Sequence, residues 1–153
     1  MPLWTPLIIL HAVAATVALM IGAVQLFRRK GDRPHRTLGR IWVIFMAIAL
    51  LTSFGILTIT GGFGILHGLS VFTACTITIG VIQARRAKIP SHRAFMIGSY
   101  FGLLGALIGV VAVPTRRIPT LAVHEPLLLV LFLAILALAT AATVIGIVRF
   151  RRP

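Results

Sequence analysis

Acidic residues are almost missing from this chain. Asp32 and Glu125 are the full complement, against fifteen lysines and arginines and a formal charge of +13. Neither acid falls inside a long apolar run, so the runs lack the carboxylates by which most proton and cation pumps move their ions. Cysteine is as scarce: Cys75 stands alone, which excludes an internal disulfide and any multi-thiolate metal site. Polar stretches are short, and a chain that is 59% hydrophobic with a mean hydropathy of +1.07 has too little polar surface for a water-soluble domain. What it has instead are runs of about 20 apolar residues, the length that crosses a hydrocarbon core. The positive charge does not mark a nucleic-acid partner, because the cations lie between the apolar runs. Met1-Pro2-Leu3-Trp4 carries no basic leader, so the first run is expected to be a retained span.

The pattern predicts an all-α integral membrane protein of five spans, over residues 6–27, 35–60, 65–85, 91–113 and 126–150. Gly61-Gly62-Phe63-Gly64 is expected to form a tight turn, and Ser91 to cap the fourth helix. Residues 115–125 are expected to be a short loop. Arg28, Arg29, Lys30, Arg33, Arg36 and Arg40 surround the first connection, Arg85, Arg86, Lys88 and Arg93 the third, and Arg149, Arg151 and Arg152 close the chain. Five spans put all three groups on one side, leaving only Arg116 and Arg117 opposite. The expected placement is therefore a bacterial cytoplasmic membrane, with the N-terminus outside, the C-terminus inside and anionic lipid against the basic face.

Half of the chain is said twice. His11, Gly22, Gln25 and His35-Arg36 recur as His67, Gly80, Gln83 and His92-Arg93, offset by 56 to 58 positions. Such repetition fixes architecture. It predicts a single membrane domain, with helices 1–4 forming a bundle of two parallel hairpin repeats, residues 6–60 and 65–113, plus a fifth helix. It also places four of the five histidines in two matched pairs. His11 and His67 share an outer level, and His35 and His92 an inner one, roughly 20–25 Å away along the membrane normal. A lone His between helices is more often a hydrogen-bonder than a ligand, and a His-Arg pair at an interface also suits lipid phosphate. The matched pairing raises the alternative of axial ligands.

Bis-His ligation of haem needs two imidazoles on different helices, and the repeat supplies this at both levels. The expected cofactor is one or two haem b. Arg36, Arg40 and Arg93 stand near the inner pair, where guanidinium matches a propionate. Arg116 and Arg117 offer the same at the outer level. Small residues share the His11 stripe (Ala14, Ala18, Gly22), and Gly98, Gly102, Gly105 and Gly109 line helix four. They read as close helix packing or as a slot for a planar ligand. Met96, one turn after His92, is a packing residue or an alternative axial ligand. Trp42 and Tyr100 are packing residues or the lining of a quinol pocket. The leading function is electron transfer within or across the membrane, with a quinone as the expected partner.

Two other readings compete. One is a non-catalytic accessory subunit, or a homo-oligomer, assembled through the glycine seams. The other is a transporter whose His11, His67 and His124 capture copper or zinc.

At His35-Arg36-Thr37-Leu38-Gly39-Arg40 and His92-Arg93-Ala94-Phe95-Met96 through Ser99-Tyr100 the chain resembles a family of small bacterial multi-pass membrane proteins. That family is classified only as a domain of unknown function and is marked by HRxxGR and HRxxM…SY motifs. The resemblance covers residues 6–114 and leaves the fifth helix outside. It implies a membrane fold and no activity. In architecture the chain is also similar to four-helix di-haem cytochromes of the b561 and superoxide-oxidase type. That likeness implies haem held by histidines, which those proteins carry deeper in their helices than His35 and His92.

Overall fold

The computed structural model describes residues 5–56, 64–112 and 117–150. It is all-helical there: α1 (Pro6–Phe27), α2 (Arg33–Ser53), α3 (Ile65–Arg85), α4 (Ile89–Val111), α5 (Arg117–His124) and α6 (Pro126–Phe150). Five of these, α5 excepted, are long and apolar enough to cross a membrane.

The helix starts follow from local chemistry. Thr5 caps α1, its hydroxyl accepting from the Ile8 N–H at 3.4 Å, with Pro6 in the first turn where no N–H is needed. Asp32 caps α2, one carboxylate oxygen accepting from the His35 N–H at 2.7 Å and the other from Arg28 at 2.8 Å. These hydrogen bonds, with that of His35 the larger cause, hold the Asp32 carboxyl below its ordinary range. A depressed acid contributes its stability above the ordinary carboxylate range and loses it as pH falls through the lowered value. Thermal melts between pH 7 and pH 3 should therefore show an acid-side loss of stability that Asp32→Asn flattens.

Three expectations are corrected. α2 ends at Ser53 rather than near residue 60. Ser53 turns its hydroxyl onto the Leu50 carbonyl at 2.6 Å, and Phe54, Gly55 and Ile56 close the end with short-range backbone bonds. Gly55 permits this, because a Cβ there would stand 2.5 Å from Leu7. Ser91 is no cap: α4 begins at Ile89 after Lys88, with Pro90 in its first turn. The connection after α4 contains α5, a short amphipathic helix with Pro119 in its first turn. The glycine turn at 61–63 lies outside the described residues.

The α3–α4 connection is a Schellman turn. The Lys88 N–H reaches the Gln83 carbonyl at 2.9 Å and the Ala87 N–H reaches Ala84 at 3.1 Å. Ala87 occupies the left-handed position at φ 57°, usually given to glycine. Ala87→Gly should raise stability by about 1 kcal/mol, the cost of a Cβ in that region; a detergent melt checks it.

α1 packs on α2, α2 on α3, α3 on α4, and α4 back on α1. The four helices thus form a square in which α1 faces α3, and α2 faces α4, across the diagonals. α6 lies against α1 and α2, leaving a cleft of about 150 Å³ lined by Val17, Ile21, Ile41, Phe45, Ala139, Thr140 and Thr143. The core joins Ala18 and Ile21 of α1, Leu38, Trp42 and Met46 of α2, and Ile77 of α3. Along α3 the buried stripe changes character, from His67, Ser70 and Thr73 to Ile77 and Gly80. Hydroxyl pairs stitch that polar half: Ser53 and Ser70 meet at 2.9 Å, and Thr76 and Ser99 at 2.9 Å.

Candidate functional site

The square arrangement carries the two histidine pairs on its diagonals. His11 and His67 sit on α1 and α3, and His35 and His92 on α2 and α4. His35 and His92 both lie in the first two turns of their helices, at the same end of the bundle.

Each ring has a defined hydrogen bond. His11 Nδ1 donates to the Ala49 carbonyl at 2.9 Å and meets the Thr52 hydroxyl at 3.2 Å. His35 Nδ1 donates to Gln25 Oε1 at 3.3 Å, while Gln25 Nε2 donates to the His35 carbonyl at 3.0 Å. His92 Nδ1 donates to the Gly80 carbonyl at 2.9 Å. A carbonyl oxygen accepts only, so all three rings carry their proton on Nδ1 and keep the Nε2 lone pair. That is the tautomer of a metal-ligating histidine held by an oxygen behind it. Each holding oxygen comes from the partner helix of the same hairpin, so hairpin packing aims the ring.

His67 differs. Its Nδ1 accepts the Gly64 N–H at 3.1 Å at the start of α3, which places the proton of the neutral ring on Nε2. The ring is buried and packs against Phe54, centroids 6.0 Å apart. In this arrangement His67 is a helix cap, and the outer pair is unlike the inner one.

The repeat misleads at the second glutamine. Gln25 and Gln83 match in sequence, but only Gln25 holds its histidine. His92 uses Gly80 instead, where no Cβ shields the carbonyl, and Gln83 Oε1 is buried without a hydrogen-bond partner. Ala49 and Gly80, which act through backbone oxygens, had no side-chain signal to find. The spacing of Gln25 from His35, ten residues across one hairpin turn, was the available sign.

The remaining candidates separate. Arg36, Arg40 and Arg93 are exposed. Trp42 and Tyr100 both pack onto Gly22, where a Cβ would lie 2.5 Å from the Tyr100 ring and 2.8 Å from Trp42 Nε1. Met96 packs against Gly80 and the core, a packing residue. The glycine stripe of α4 does not face the interior as a slot: around Gly98, Gly105 and Gly109 there is open space, and only Gly102 approaches Thr73. His124 ends α5 and is exposed. Among the described residues no group of three or more His, Cys, Asp or Glu is placed to hold a metal ion, so His11, His67 and His124 are not brought together. Arg116 lies outside the described residues, as does the Arg117 side chain.

A family model described as predicted membrane protein (DUF2306) matches residues 8–147. The chain belongs to this family. The match runs through α6, so the fifth helix is part of the family unit rather than outside it. No curated protein and no solved structure matches the chain.

Proposed function

We propose that this membrane protein is a b-type haem electron carrier with one haem held at the inner pair, His35 and His92. The observation that carries the reading is the Nδ1–H hydrogen bond of both rings, which leaves Nε2 as the ligand nitrogen on diagonal helices. Haem needs two such nitrogens and no third protein ligand, so the donor set fits. His11 is held in the same tautomer, but His67 spends its Nδ1 on a helix cap, which weakens a second site at the outer level. When bound, the haem supplies one-electron chemistry at iron. The chain supplies position: Gln25 and the Gly80 carbonyl fix the ring orientations. The distribution of basic residues supports a location in the bacterial cytoplasmic membrane with the basic end inside. A quinol is the donor class that reaches such a site from within the bilayer.

The test is a pyridine haemochromogen assay on detergent-purified protein from haem-supplied cells. One haem b per chain is expected, and none overturns the reading. Gln25 is a positioning residue. Gln25→Leu should retain haem but raise its midpoint potential, because losing the acceptor behind His35 lowers ligand basicity and favours ferrous iron. A redox titration reads the shift.

A further inference from the structure

The strongest feature outside the histidine site is on the far side of α4. A shallow recess of about 460 Å³ is lined by Ile89, Pro90, Arg93, Ala94 and Ile97. These positions form one stripe over the first two turns, pointing away from the bundle. The Schellman turn at its mouth presents Arg85, Arg86 and Lys88, all exposed.

Among the described residues, no ion pair joins these four cations to a side-chain carboxylate. Of the two acids, Asp32 is bonded to Arg28 and to the His35 amide. Glu125 lies beyond the other end of α4, before α6. The neutralising anion must therefore come from outside. It must also suit Ile89, Ala94 and Ile97, with exposed Phe101 one turn further along. An anion attached to an acyl chain meets both demands, and the surrounding bilayer supplies it.

We propose that the α4 recess is a binding site for an anionic diacyl phospholipid. Its phosphate pairs with Arg93, its headgroup lies under the Arg85–Lys88 turn, and one acyl chain runs along Ala94 and Ile97. Arg93 is suited to this because guanidinium meets phosphate oxygens in a fork. The proposal does not depend on haem.

Native mass spectrometry of the delipidated full chain tests it, with dioleoyl phosphatidylglycerol and dioleoyl phosphatidylcholine offered at equal concentration. Phosphatidylglycerol should be retained at least tenfold over phosphatidylcholine. Arg93→Gln should cut that retention at least fivefold, and Arg40→Gln, on another helix, should leave it unchanged. Ala94→Trp keeps every charge but fills the recess, and should cut retention as well. Equal retention of the two lipids overturns the proposal, as does full retention by Arg93→Gln or Ala94→Trp. Displacement of the lipid by an equal concentration of inorganic phosphate would show a simple anion site and also overturn it.

Discussion

His35→Ala and His92→Ala should each lower the haem content of purified protein more than tenfold, while His67→Ala keeps at least half. The split follows from tautomer and not from depth or burial. His35 on α2 and His92 on α4 each have Nδ1–H engaged, which keeps the Nε2 lone pair for the proposed ligation. His67 is the most buried of the four, yet its Nδ1 accepts from Gly64. Loss of either histidine would leave the proposed haem with one protein donor in place of two. Loss of the His67 cap weakens only the first turn of α3. Size-exclusion profiles of the three variants separate lost cofactor from lost fold. Equal pigment loss in all three would mean that the outer pair binds too.

Gly22 is the position where the bundle tolerates least. Gly22→Val should destabilise the protein by roughly 3 kcal/mol, the upper part of the usual overpacking range. A Cβ there would stand 2.5 Å from the Tyr100 ring and 2.8 Å from the Trp42 indole nitrogen. Those side chains come from α4 and α2, so neither can move without shifting a helix. Trp42 is buried, which removes the easy escape. Gly98→Ala is the control. Nothing stands within 4 Å of a Cβ at Gly98, so the change should gain about 0.5–1 kcal/mol of helix propensity. Thermal unfolding in one detergent compares the pair.

Much of the architecture was legible because bilayer thickness sets helix length. Pro6–Phe27, Ile65–Arg85 and Pro126–Phe150 have the bounds that the apolar runs predict. α2 was misjudged because its end is decided by Ser53 and Gly55, whose effect depends on hydroxyl back-bonding and on Leu7 packing from another helix. α5 was missed because eight residues carry too little periodicity to read. The four histidines were found by repetition, and the diagonal placement bears on both pairs alike. The difference between the pairs was not legible. It rests on whether Nδ1 meets an amide N–H or a carbonyl, and those partners lie 3 to 38 positions away along the chain. The glycines of α4 show what spacing alone leaves open: within this chain only Gly102 approaches a neighbouring helix, and the rest of the stripe looks outward.

The most direct test of the central claim is the dithionite-reduced minus oxidised absorption spectrum of the purified protein, grown with ample haem supply. A sharp α-band with a shifted Soret maximum, absent from His35→Ala, is the predicted result. A featureless difference spectrum from well-folded protein would contradict haem ligation by His35 and His92.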